Sequence, residues 1–218
     1  MAMVRPRTGD FLYSDTEFNV MLEDVRFFKA SGTAGVALGV LDQSGRVDVD
    51  RTRKLVDEAF PMQVCFHRAF DMTRDPLEAL RDISTIPRVT RILTSGHGPI
   101  APSSLHVLRT LFGTASATVP HAPAVLPGSG ISPATARQLL DALLPCGLKE
   151  IHLSAGAWEP GAMVYRRHGM GMGAGGEGEW GVWRASEERV RAVRTIADEA
   201  LREYYATVEK TVAGMADS

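Results

Sequence analysis

The chain of 218 residues is 44% hydrophobic and 23% charged, enough apolar material for one good core and too little for two large domains. Its net charge of −2 is spread without a basic block, which argues against nucleic acid or anionic lipid as the main partner and favours a metal ion or small anionic molecule. No apolar run approaches the roughly 20 residues of a membrane helix, residues 1–10 lack the core of a signal peptide, and Cys65 and Cys146 make no disulfide framework, so a cytoplasmic protein is expected.

A short apolar strand, a polar turn and an amphipathic helix recur six times along the chain. Strands are predicted at 3–7, 35–41, 62–67, 89–94, 122–127 and 150–154, each followed by a helix. The first helix is announced by Ser14 with Glu17 three residues on, a capping box, followed by Phe18, Met21, Leu22, Val25 and Phe28 on one face. Asp75-Pro76 and Ser132-Pro133 each place a cap residue before a proline suited to the first helical turn. Strands alternating with helices every 30 residues or so imply parallel strands and right-handed crossovers, in either an open doubly wound sheet or a barrel. A complete barrel of this kind takes eight units and about 250 residues.

One stretch breaks the rhythm. Residues 155–185 show no clear periodicity, yet hold nine glycines and all three tryptophans, Trp158, Trp180 and Trp183. So many large rings weigh against disorder, and a lid that buries them is expected. His168, Met170 and Met172 in this stretch form a soft set that monovalent copper accepts, although mobile-loop methionines need no metal to explain them.

Ionisable side chains collect where strands end, the place at which folds of repeating strand and helix do their chemistry. Arg5 and Arg7 share a strand face, and the turn Thr8-Gly9-Asp10 is expected to leave both guanidinium groups at the mouth. They suit a carboxylate or phosphate, or else pair with Asp10 as structural support. Cys65 and His67 also share a face and offer copper or zinc a thiolate and an imidazole, against the plainer reading of Cys65 as a small apolar filler. His67 alone suits a general acid or base. Asp71 is expected to accept hydrogen bonds from Arg68 or from loop backbone, as a catalytic carboxylate or as a turn aspartate. His152 and Ser154 share a face of the last strand, placed to meet His67 across a barrel mouth. Gly128 and Gly130 precede a helix whose amino terminus favours an anion, and Ser95-Gly96 supplies a second such turn; tight-turn geometry is the alternative for both. The four lysines lie away from strand ends, and neither a His-Glu-x-x-His motif nor a Gly-x-Ser-x-Gly elbow occurs, which disfavours Schiff-base, common zinc-hydrolase and serine-hydrolase chemistry.

Four segments carry a resemblance: Val4-Arg5-Pro6-Arg7-Thr8-Gly9-Asp10-Phe11-Leu12-Tyr13-Ser14-Asp15, Phe66-His67-Arg68-Ala69-Phe70-Asp71-Met72, Ile92-Leu93-Thr94-Ser95-Gly96 and His152-Leu153-Ser154-Ala155-Gly156-Ala157-Trp158. Over residues 3–203 the chain resembles the CutC family, named for copper homeostasis. The resemblance implies a TIM-type (β/α) barrel, here incomplete with about six of its eight strand-helix units, in a single domain with a Gly/Trp-rich loop at 155–185. It also implies a cytosolic location and copper binding or tolerance. The family's first two units, with the cysteines proposed to bind copper, are absent from this sequence. A shortened gene product, or a homo-oligomer that covers the gap, is therefore expected. Two functions follow. One is copper handling of the CutC type, with Cys65 and His67 as metal ligands. The other is an enzyme for a small anionic substrate, with His67, Asp71 and His152 catalytic and with Arg5, Arg7, Asp10, Arg68, Ser95, Gly96, Gly128, Gly130 and Ser154 in binding.

Overall fold

In the computed structural model, which describes residues 1–118 and 122–216, the strands are β1 (Ala2–Met3), β2 (Gly35–Leu38), β3 (Gln63–Phe66), β4 (Val89–Thr94) and β5 (Ala124–Pro127). They form one sheet in chain order with every neighbouring pair parallel. Helices α1 (Asp15–Ala30), α2 (Val49–Ala59), α3 (Pro76–Ser84), α4 (Leu105–Thr118) and α5 (Ala136–Leu143) alternate with the strands and with the chain that follows β5. The architecture is α/β, an arc of a TIM-type barrel rather than a closed one.

Residue alternation decides the two faces of this arc. Val36, Leu38, Val64, Phe66, Ile92 and Val125 point into the main core, against Met21, Val25, Leu55, Leu80, Ile83, Leu108 and Leu139 from the helices. The opposite, inner face carries Ala37, Cys65, Arg91, Leu93 and Leu126. There Arg91 Nε reaches Glu150 Oε2 at 2.7 Å. The helix starts follow local chemistry: Ser14 and Glu17 complete the capping box of α1, and Asp75 caps α3 with Pro76 in its first turn.

Only β4 keeps its full predicted span, and two strands are cut back most. The first ends at Met3, with one further ladder bond from Val4 N to Ala37 O at 2.9 Å. Pro6 has no N–H to continue the ladder, and Arg7 turns toward α1. The sixth, at 150–154, is reduced to a single parallel bridge between Gly128 and His152. Among the described residues nothing pairs with its far side, and Glu150, His152 and Ser154 are exposed.

The aperiodic stretch also differs from expectation. Strands β6 (Gly156–Pro160) and β7 (Gly181–Ala185) pair antiparallel as a separate hairpin with Trp158 opposite Trp183, their rings edge to face at 5.2 Å. Gly156 is required there, because a Cβ would lie 2.1 Å from the Trp183 ring. The rings pack on each other and on glycines, so Trp158 and Trp183 stay 36% and 49% exposed where burial was expected. Helix α6 (Glu187–Ala216) follows and docks on α5, with Val193 and Ala200 in the main core.

Candidate functional site

The loops that follow β1, β2 and β3 enclose a cavity of about 680 Å³ at the carboxyl ends of the strands. Its walls are Arg5, Gly9, Asp10, Phe11 and Leu12 from the first loop, Leu41, Asp42, Gln43 and Gly45 from the second, and Arg68, Asp71 and Met72 from the third. The size suits a small molecule, and the mixture of apolar wall with a few charged groups is typical of ligand pockets. Of the residues singled out in the sequence, the structure brings Arg5, Asp10, Arg68 and Asp71 to this one cavity.

Asp71 is the most heavily bonded carboxylate at the rim. Its oxygens accept from Thr94 Oγ1 at 2.5 Å, Ser95 N at 3.0 Å, His97 N at 3.2 Å and Arg68 Nε at 2.7 Å, with its side chain 5% exposed. Burial alone would raise its pKa, but the hydrogen bonds from Thr94, Arg68 and the Ser95 and His97 backbone hold it below the ordinary carboxylate value. Ser95 belongs to the same network, accepting from Arg68 Nη2 at 2.8 Å and standing 2.5 Å from the Gly98 carbonyl. Gly96, at φ +74°, lies against Ser104 and Leu108. The Thr94–Gly98 turn is thus spent on tying β4 to the loop after β3, and every acceptor site of Asp71 is taken.

Arg5 and Arg7, paired by the alternation argument, part company. Arg7 leaves the strand line and is consumed by Glu17 Oε1 at 2.5 Å, Asp10 Oδ1 at 2.9 Å and the Leu12 carbonyl at 2.7 Å, with its guanidinium over the Tyr13 ring. Arg5 donates to the Gly9 carbonyl at 2.9 Å and lies 4.6 Å over Phe11, and Nε and Nη1 have no hydrogen-bond partner among the described residues. Arg68 keeps Nη1 without such a partner as well. The carboxylates in the cavity are already engaged: Asp10 by Arg7, Asp42 by Ser44 and the Arg46 N–H, Asp71 as above. Two guanidinium groups with spare donors among the described residues therefore face a cavity whose three carboxylates are each already hydrogen-bonded through at least one oxygen.

His67 sits below the rim, 2% exposed, with its ring 5.1 Å from Phe11. Its Nδ1 accepts the Ala69 N–H at 3.2 Å, which assigns the proton of the neutral ring to Nε2. Nε2 has no partner. Burial, reinforced by the Arg5 charge, pushes the imidazole down to about 4, so the ring is neutral at physiological pH. Gly39 makes room for it, since a Cβ there would lie 2.7 Å from Nδ1.

The remaining expected site residues fall elsewhere. Cys65 is buried on the inner face, and burial pushes its thiol up to about 11. His152 and Ser154 are exposed at the sheet edge, and His152 stands beside Gly128 rather than in contact with His67. Gly130 packs on Ile100, and the turn around it is tied to the 99–101 segment through Ser129. Helix α5 begins at Ala136, beyond that turn, so the expected helix terminus is not presented to the cavity. No residue of 155–185 lines the cavity, so the hairpin is not its lid here. Met170 and Met172 are exposed on that hairpin, and the described residues gather no group of three or more His, Cys, Asp or Glu side chains that suits a metal ion. Sequence reasoning missed Phe11, Tyr13, Leu41, Asp42, Gln43 and Met72. Leu41 ended a predicted strand, Asp42 and Gln43 followed it, and Phe11, Tyr13 and Met72 stood inside the segments that carry the resemblance without being singled out.

The model of the CutC family matches residues 1–157. The chain belongs to the CutC family. CutC family proteins of Chromobacterium violaceum, Citrobacter koseri and Klebsiella pneumoniae are 42%, 41% and 39% identical to it over 91%, 78% and 79% of its length. The aligned regions span 77%, 64% and 66% of those relatives' own lengths. The crystal structure of a Streptococcus agalactiae CutC, provisionally named for copper homeostasis, superposes with a TM-score of 0.60 at 24% identity, covering 69% of this chain and 70% of that one. The cavity-forming segments of this chain, through Met72, all lie within the part that matches the CutC model.

Proposed function

We propose that this CutC-family chain binds a small anionic molecule, carrying a carboxylate or phosphate, in the cavity between Arg5 and Arg68. One observation carries the reading: both guanidinium groups line a cavity at the carboxyl ends of parallel strands with donors to spare among the described residues, while each of its carboxylates is already hydrogen-bonded, Asp71 in part to Arg68 itself. Arginine's planar fork suits such oxyanions, and Phe11, Leu12, Leu41 and Met72 supply apolar wall for the rest of the ligand. A cytosolic setting agrees with the free thiols of Cys65 and Cys146. The test is isothermal titration of the protein with malonate and with inorganic phosphate at constant ionic strength. Saturable binding that Arg5→Gln and Arg68→Gln each weaken supports the reading; binding of neither probe refutes it.

Copper handling, which the name of the Streptococcus agalactiae relative suggests, is the second reading. The pair expected to ligate the ion does not fit it well. The Cys65 thiol is held protonated by burial, and the His67 lone pair, on Nδ1, is taken by the Ala69 N–H while Nε2 carries the proton. A cation gains nothing from two guanidinium groups at the rim. Titration with cuprous ion under reducing conditions checks this reading. Binding lost in Cys65→Ser would restore it.

A further inference from the structure

Buried polar atoms without partners are uncommon, and each costs about 1–3 kcal/mol, so each calls for an explanation. Among the described residues three such side-chain atoms occur: Tyr13 Oη, His67 Nε2 and Thr52 Oγ1. None of the three residues is itself a wall of the cavity, and Thr52 sits in α2. The other two lie close to Arg5, whose charge acts on both. Tyr13 is 2% exposed, and burial raises its pKa while Arg5 and Arg7 oppose the rise. Arg5 approaches that hydroxyl as a donor, at a geometry short of a full hydrogen bond, which leaves the phenolic O–H itself with no acceptor among the described residues. The ring of Phe11 touches both Arg5 and His67 and is itself a cavity wall.

We infer that the Arg5 guanidinium, the Tyr13 hydroxyl and His67 Nε2–H form one subsite, behind Phe11, for a single oxyanion group of the bound ligand. The inference rests on the proposed anion-binding role and names the groups that would complete it. Among the described residues Arg5 spends only Nη2, on the Gly9 carbonyl, and neither the Tyr13 hydroxyl nor His67 Nε2 has an acceptor, whereas a carboxylate or phosphate brings two or three acceptor oxygens. The Phe11 ring shifts as the ligand settles, since neither Tyr13 nor His67 itself lines the cavity. A neutral imidazole suits the task, because the Nε2 proton is a fixed donor and adds no second charge to that of Arg5.

The experiment pairs calorimetry with magnetic resonance on the full chain. Tyr13→Phe removes the hydroxyl and keeps the ring. His67→Asn keeps an acceptor for the Ala69 N–H and removes the Nε2 donor. The subsite predicts that each variant binds malonate or inorganic phosphate about tenfold or more weakly than the unmodified protein, the scale of a hydrogen bond to a charged group. It also predicts that the His67 Nε2–H resonance moves when the same probe is added to the unmodified protein. Tyr13→Phe without ligand should melt no earlier than the unmodified protein, an outcome that a purely structural hydroxyl would not give. The two probes distinguish the headgroups. If the unmodified protein binds a probe and both variants bind it equally well with the resonance unmoved, the subsite is wrong and the cavity reading stands. If the unmodified protein binds neither probe, the cavity reading falls and the subsite with it.

Discussion

Two groups of polar residues sit at the carboxyl ends of the strands and are built in opposite ways. Around Asp71, every oxygen has donors, from Thr94, Ser95, His97 and Arg68, and the result locks two loops together. Around Arg5, the Tyr13 hydroxyl and His67 Nε2 are buried without partners among the described residues, and the guanidinium has donors unused there. A saturated network stabilises the fold, whereas an unsaturated one lowers stability unless something else completes it. The difference separates structural from ligand-binding residues within a single rim, which the mere presence of charged side chains does not do.

The largest effect is expected at the saturated end. Asp71→Asn turns an ion-paired acceptor into a neutral amide that aims donors at donors, and should cost about 3 kcal/mol or more in chemical denaturation. A loss under about 1 kcal/mol would erase the contrast. Acid comes next. The folded-state value of His67 lies below its unfolded one, so between pH 6.5 and about 4 the unfolded chain binds the extra proton. The contribution is full above pH 6.5 and falls away as pH drops through that window, by up to about 3 kcal/mol. Asp71 acts in the same direction but at lower pH, where its carboxylate takes up a proton. Denaturation midpoints from pH 7.5 to 4 should fall for the unmodified protein and less steeply for His67→Asn.

Smaller effects sharpen the contrast at the unsaturated end. Arg5→Gln should change stability by under about 1 kcal/mol while weakening malonate binding roughly tenfold, because its described partners are one carbonyl and one ring. Smallest of all, Trp183→Ala in the separate hairpin should leave anion affinity unchanged and cost about 1 kcal/mol or less, since the ring is half exposed. Altered affinity in that variant would tie the hairpin to the cavity.

Much of the fold was legible because its signals are local. The Ser14–Glu17 box and the Asp75-Pro76 pair announce helices through hydrogen bonds within one turn, and the strands β2 to β5 fall inside their predicted spans. Partners distant in sequence were not legible. Arg7 shares a strand period with Arg5, but Glu17, ten residues on, draws it away. The strand at 150–154 has the right alternation but no neighbour on its outer side among the described residues, and it survives as one bridge. The hairpin hid behind glycines that are there to admit tryptophan rings. Asp71 was open to two readings, and only the count of its donors favours the structural one. Tyr13 and Phe11 drew no notice of their own, because what marks them is an absent partner and a shared wall.

The most direct test is the melting temperature in malonate or phosphate against chloride of equal ionic strength, for the unmodified protein and for Arg5→Gln. Occupancy at 100 times Kd stabilises a protein by about 2.7 kcal/mol, a shift of several degrees. The melting temperature should rise by that amount in the unmodified protein and not in Arg5→Gln. An equal rise in both, or none in either, would contradict anion binding at Arg5.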